Sequence, residues 1–158
     1  MKITLRDVAD ADDPFLFELY ASTRESELAM THWTDDQKRS FVEFQFAAQK
    51  RDYSGNNPDA THQIILDAGE PAGRVYVARR ADEIHILDIT IAPPRRNAGI
   101  GSEILRGILD EAGRAGKPVT IYVEDFNPSL RLFERLGFRV RSVDGFLMLL
   151  ERPPAVPA

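Results

Sequence analysis

Residues 84–109 read IHILDITIAPPRRNAGIGSEILRGIL. The apolar run Ile84 to Ile91 stops at Pro93 and Pro94, the pattern of a strand buried on both faces. A basic turn carrying glycines follows, Arg95-Arg96-Asn97-Ala98-Gly99-Ile100-Gly101. Ile100, Ile104, Leu105, Ile108, Leu109 and Ala112 then recur at helical spacing. The stretch therefore predicts strand, glycine turn, helix.

That geometry suits a phosphate. The first turn of a helix has N–H groups without intrahelical partners, and the helix dipole adds positive potential there. Gly99 and Gly101 let a ligand approach the backbone, and Arg95 and Arg96 supply charge beside it. The expected product is a pyrophosphate cradle. Two common phosphate loops are excluded. A Walker A loop needs GxxxxGK followed by Ser or Thr, and no such Lys is present. A Rossmann fingerprint needs GxGxxG, but Gly99-Ile100-Gly101 runs into Ser102-Glu103-Ile104.

The turn does fit Arg-x-x-Gly-x-Gly, as Arg96-Asn97-Ala98-Gly99-Ile100-Gly101. Downstream stands Asn127-Pro128-Ser129-Leu130-Arg131-Leu132-Phe133-Glu134-Arg135-Leu136-Gly137-Phe138. The first segment resembles the acyl-CoA-binding motif of the GCN5-related N-acetyltransferase (GNAT) superfamily. The second is similar to that superfamily's Asn-Pro-x-x-x-Leu-Tyr-x-x-x-Gly-Phe segment, in the same order and at a similar distance.

Composition sets bounds on the remainder. A chain of 158 residues that is 43% hydrophobic is expected to form one domain with an adequate core. With no cysteine there is no disulfide, thiolate metal site or Cys nucleophile. The net charge of −5, with Lys and Arg dispersed, speaks against a nucleic-acid-binding face. No run reaches transmembrane length and MKITLRDVAD lacks a signal peptide's apolar core. A cytoplasmic protein with no membrane partner is expected.

Around the central stretch, Ile3, Leu5 and Val8 suggest a first strand. Asp12-Asp13-Pro14 reads as a helix start, with Phe15, Leu16, Leu19 and Tyr20 as its apolar face. Ser22 to Glu27 reads as a loop, and Thr34 or Asp35 caps a second helix running to about Arg51. Tyr53 to Asp59 is rich in turn formers. Strands are expected at His62 to Leu66, Arg74 to Arg79, Val119 to Val123, Phe138 to Val143 and Phe146 to Leu150, with a short helix from Pro128 to Gly137. The order is that of an α/β fold, a mixed central sheet with helices on both faces, and it matches the GNAT order. Residues 1–152 would form the single GNAT-like domain and 153–158, with Arg152 outside the sheet, a loose tail.

The resemblance implies acyl transfer from acetyl-CoA, or another acyl-CoA, to an amine of a small molecule or peptide, with no metal. An amine is mostly protonated at neutral pH, the Lys reference pKa being about 10.4. The enzyme must therefore remove a proton, orient the nitrogen and stabilise an oxyanion. By resemblance, the pyrophosphate and pantetheine would be held by Arg96, Asn97, Ala98, Gly99, Ile100, Gly101, Ser102, Asn127 and Phe133, together with backbone groups near Ile89 and Ile91. The pantetheine would thread between strands 84–91 and 119–123, which the superfamily typically splays.

Superfamily members often place a general base on the fourth strand, where His85 and Asp88 are the candidates here. Phe133 stands where the superfamily often has a Tyr that protonates the leaving thiolate. Without that hydroxyl, Ser129 or water substitutes, no acid is used, or only binding remains. The last case would make the chain a catalytically silent acyl-CoA sensor or regulatory module. Tyr20, Arg24, Glu25, Glu27, Trp33, Gln45 and Gln49 are available for the acceptor pocket, with Tyr20, Arg24, Glu27 and Trp33 as its leading candidates. Many superfamily members dimerise, and a homodimer stays open here.

Overall fold

The computed structural model describes residues 2–154; the expected tail at 155–158 lies outside the described residues. The chain forms one seven-stranded mixed sheet in the order β1-β2-β3-β4-β5-β7-β6. The strands are β1 (Ile3–Asp7), β2 (Thr61–Asp67), β3 (Glu70–Arg79), β4 (Ile84–Ile91), β5 (Val119–Glu124), β6 (Arg139–Asp144) and β7 (Leu147–Arg152). The helices are α1 (Asp13–Ser22), α2 (Glu25–Ala29), α3 (Asp35–Asn56), α4 (Ile100–Ala115) and α5 (Leu130–Arg135). Among the described residues only the β4–β5 pair is parallel, as expected of two strands joined through a helix.

The amphipathic helix α4 buries Ile100, Ile104, Leu105, Ile108 and Ala112. They join Val75, Val77, Ile84, Ile86, Ile121, Phe133 and Phe138 in the main core. The other sheet face carries α1, α2 and α3, which form a smaller cluster around Tyr20, Leu28 and Val42. The α3 start is a capping box: Gln37 N–H donates to Thr34 Oγ1 and Thr34 N–H donates to Gln37 Oε1.

Several elements differ from expectation. Ser22 closes α1 and Glu25–Ala29 forms the short helix α2, because Leu28 has a core to enter even though the segment is polar. Helix α3 runs past Arg51 to Asn56, held by tertiary contacts of Tyr53 rather than by local propensity. Arg152 is not in a tail; it ends β7 opposite Val119. Strand β4 is buried on both faces only over Ile84, His85 and Ile86; from Leu87 it is half-exposed.

That change marks the main irregularity. The β3–β4 register shifts at Tyr76/Val77, leaving Leu87 as an extra residue on β4. The shift reverses the side-chain alternation, so Ile84, Ile86, Ile89 and Ile91 all pack toward the main core. The β4–β5 ladder covers only Ile84–Ile86 against Val119–Ile121. Beyond it the strands separate.

Gly73 of β3 faces the β4 backbone at Thr90 and Ile91 with no room for a side chain. A Cβ built on Gly73 would sit 2.2 Å from the Thr90 carbonyl oxygen. Gly73→Ala should therefore destabilise the fold by about 2 kcal/mol or more, read as a lower urea midpoint with an unchanged slope. An unchanged midpoint would mean that the two strands can part at no cost.

Candidate active site

The site is the gap that opens between β4 and β5. Ala92 N–H donates to Ala72 O at 2.7 Å, which sets the phase of the antiparallel β3–β4 ladder. Thr90 and Ala92 turn their peptide groups toward β3; Ile89 and Ile91 turn theirs toward the gap. Ile91 O accordingly accepts from Arg96 Nε at 3.0 Å rather than from β3. Past Ile121 the facing edge of β5 has no β4 partner.

The gap leads to the α4 N-terminus. Asn97 and Gly99 have φ of 63° and 86°, turning the chain so that successive N–H groups converge. A side chain at Gly99 would be strained at that φ. Six N–H groups, Asn97 to Ser102, find no acceptor among the described residues. A dianionic pyrophosphate meets that unmet demand in charge and in its number of acceptor oxygens. The residues present thus fit the phosphate end of an acyl-CoA.

The arginines behave differently from one another. Arg95 was expected beside the cradle, but its Nη1 pairs with Asp67 on β2 at 3.0 Å. Arg96 reaches across the gap mouth, with Nη2 donating to Ser22 Oγ of α1 at 3.4 Å.

Opposite the cradle, Asn127 Oδ1 accepts from Ser129 N–H at 2.8 Å, a side-chain turn that starts α5. The Ser129 hydroxyl is exposed. Phe133, expected at the cofactor, is only 3% exposed and packs edge-on against Phe138 at 5.4 Å. Its place is the core, where a phenyl ring is satisfied without a hydroxyl.

The two base candidates separate. His85 lies inside the closed part of the sheet, 6% exposed, with Nδ1 2.8 Å from Thr120 Oγ1 and its ring against Tyr122. Burial pushes its pKa down, and the structure keeps it out of the gap. Asp88 lies beside the bulge with its side chain 24% exposed. Asp88 Oδ2 accepts from Arg74 Nε at 2.6 Å, and both carboxylate oxygens lie within reach of Thr90 Oγ1.

Arg74 is the buried charge of this face. Its Nη2 donates to Gln49 Oε1 at 2.8 Å and its Nη1 lies 3.5 Å from His62 Nε2. The His62 ring stacks on Tyr76 at 4.1 Å, and Tyr76 meets Tyr53 edge-on at 5.4 Å. The Tyr53 hydroxyl donates to Leu87 O at 3.1 Å. Gln45, one turn before Gln49 on α3, holds a buried Oε1 with no donor among the described residues.

Of the expected acceptor residues, three come together. Arg24 stacks over the Tyr20 ring, its Nε donates to Tyr20 Oη at 3.3 Å, and its Nη1 meets Glu27 at 3.2 Å. It also reaches Glu124, at the end of β5, at 3.5 Å. Trp33 is elsewhere, packed on Phe41 at 5.0 Å on the outer side of α3. Sequence reasoning missed Glu124, Thr90, Arg74 and Tyr53; nothing in the local pattern separated them from solvated strand ends and turn residues.

The acetyltransferase (GNAT) family model matches residues 19–138. The chain belongs to that family. Its fold is that of the GNAT acyltransferases, and the match spans both the glycine turn and the Asn127–Phe138 segment. The structure is similar to the PaiA N-acetyltransferase of Thermoplasma acidophilum in complex with coenzyme A: TM-score 0.73, 18% identity, 97% of this chain and 99% of that one. It is also similar to the ribosomal-protein-S18-alanine N-acetyltransferase of Escherichia coli: TM-score 0.64, 17% identity, 99% and 97% covered. A third is an acetyltransferase of Thermus thermophilus: TM-score 0.66, 19% identity, 97% of each chain. No curated protein sequence matches this GNAT chain. Among the described residues, no helix is long and apolar enough to cross a membrane.

The burial of His62 beside Arg74 makes stability depend on pH. Burial, and next the Arg74 charge, hold the His62 pKa at about 4, against 6.5 for a free His. Between pH 6.5 and 4 the unfolded chain binds a proton that the fold refuses. Stability is thus complete above 6.5 and falls as pH drops through that window, by about 3 kcal/mol at most. His85 is shifted the same way and adds to the slope. His62→Phe should flatten most of it in urea titrations at pH 4.5 and 7.5; an unchanged slope would assign the effect elsewhere.

Proposed function

We propose that this GNAT chain transfers the acetyl group of acetyl-CoA to a primary amine of a small molecule or peptide, as one domain spanning residues 1–152. The observation that carries this is the β4–β5 gap ending in the six free N–H groups of residues 97–102. Those groups, with Arg96 swung onto the phosphates, take the pyrophosphate. The gap-facing backbone of Ile89 and Ile91 pairs with the pantetheine arm, and an N–H there polarises the acyl carbonyl. Bound acetyl-CoA supplies the activated acyl group as a thioester.

On the acceptor side, Asp88 is better placed than His85 to take the amine proton, directly or through water. Tyr20, Arg24, Glu27 and Glu124 wall the entrance, and the unmet Gln45 oxygen offers an acceptor to an N–H donor. The buried Phe133 cannot protonate the leaving thiolate. A thiol with a pKa near 8.5 leaves adequately without an acid, and the Ser129 hydroxyl, exposed just before α5, is the substitute at hand. A silent acyl-CoA-binding module is the second reading, favoured by the missing hydroxyl at Phe133.

Amine-dependent release of free thiol from acetyl-CoA tests the choice. Release with an amine panel is expected; binding without release from any amine would select the module.

A further inference from the structure

The gap-facing edge of β4 carries two carbonyls that side chains have capped. Arg96 Nε holds Ile91 O at the mouth. Tyr53 Oη holds Leu87 O at the apex, one residue beyond the last β4–β5 pair at Ile86. Leu87 is the bulged residue, so β3 has no donor aligned with it. Tyr53 comes from α3, on the face away from α4, and is the one side chain among the described residues that hydrogen-bonds this carbonyl.

The fit around the hydroxyl is specific. Its ring stands edge-on to Tyr76, which is itself stacked on His62. Gln49 Nε2 approaches the oxygen at 3.5 Å from one turn earlier on α3. Burial, reinforced by Asp88, pushes the phenol pKa up to about 12, so the proton stays on Tyr53 throughout the neutral range. The hydroxyl is a permanent donor.

Two consequences follow from peptide geometry. The Leu87 C=O and the Asp88 N–H belong to one rigid plane, so holding the carbonyl fixes the orientation of the amide. An uncapped carbonyl at the apex would also present negative charge to the place where an acyl oxygen gains it. With Leu87 O and Ile91 O both occupied, the gap-facing groups left on β4 are the Ile89 N–H, the Ile89 O and the Ile91 N–H.

We propose that Tyr53 is a positioning residue of the acyl-transfer site: its hydroxyl pins the Leu87 carbonyl, holding the β4 bulge so that the donors beyond it face the acyl group. This rests on the acetyltransferase reading above and adds a residue from α3 to that site. Tyr53 touches neither reactant; it acts through the backbone.

Tyr53→Phe keeps the ring against Tyr76 and removes only the hydroxyl. Amide exchange read by NMR tests the pin without any turnover. The Asp88 and Thr90 amides, which the ladder turns toward β3, should exchange at least 10-fold faster in the variant, while Val75, Ile84 and Ile86 stay unchanged. A uniform rise across β3 and β4, or no change at Asp88 and Thr90, would overturn the pin. Kinetics test its purpose. Turnover should fall on the order of 10-fold at every pH, with the KM for acetyl-CoA and the shape of the pH profile preserved. An unchanged kcat would overturn the positioning role, and so would loss of an alkaline limb, which would make Tyr53 an acid or base. Absence of amine-dependent thiol release in the parent protein would overturn the acetyltransferase reading, whereas the exchange result would still decide the pin.

Discussion

One extra residue in a strand sets the character of this molecule. Strands β4 and β5 run together for three residues and then part at Leu87, where β4 carries a residue that β3 does not match. Sheet hydrogen bonds are worth little individually but costly to leave unmade in a buried place. A gap in the middle of a seven-stranded sheet is therefore stable only if its edges are satisfied otherwise. Here Tyr53 and Arg96 cap two carbonyls, while the open N–H groups of residues 97–102 sit where water or a ligand reaches them. The opening and the cradle lie at the two ends of one continuous feature.

The cost of the opening is offset on the α3 face. Arg74, only 5% exposed, would be a costly buried charge without partners. It has three: the Asp88 carboxylate, the Gln49 carbonyl and the His62 ring nitrogen. Because Asp88 and Gln49 come from β4 and α3, the same guanidinium ties the strand beyond the bulge to the helix that carries Tyr53. The network thus holds the strand where the sheet no longer does. This links a stability feature, the His62 pKa held down by burial and by Arg74, to the geometry of the site.

Much of this was legible in the sequence. The strand, glycine turn and helix over 84–115 follow from local rules, since apolar spacing, two glycines and flanking prolines all point the same way. The two motif segments fall at the head of α4 and around α5. The bulge was also written there, because Ile84 and Ile86 are followed by Ile89 and Ile91, a three-residue step that period-two alternation forbids without an insertion. It read as a continuous apolar run because Leu87 fills the break. What was not legible depends on tertiary partners. Tyr53 sits among turn formers and is helical only because its hydroxyl and ring find β4 and β3. His85 looks like a base by spacing, but pairing with β5 closes the sheet around it. Arg95 and Arg96 are adjacent in sequence, yet Asp67 claims one and the gap mouth the other.

The claim on which the account depends is that the free N–H groups at the head of α4 receive a pyrophosphate. Amide hydrogen exchange with and without coenzyme A measures this directly. Coenzyme A should slow exchange of the amides from Asn97 to Ser102, together with Ile89 and Ile91, far more than those of the β1–β2 edge. Unchanged exchange at 97–102 under saturating coenzyme A would contradict it, and would leave the turn as a structural junction between strand and helix.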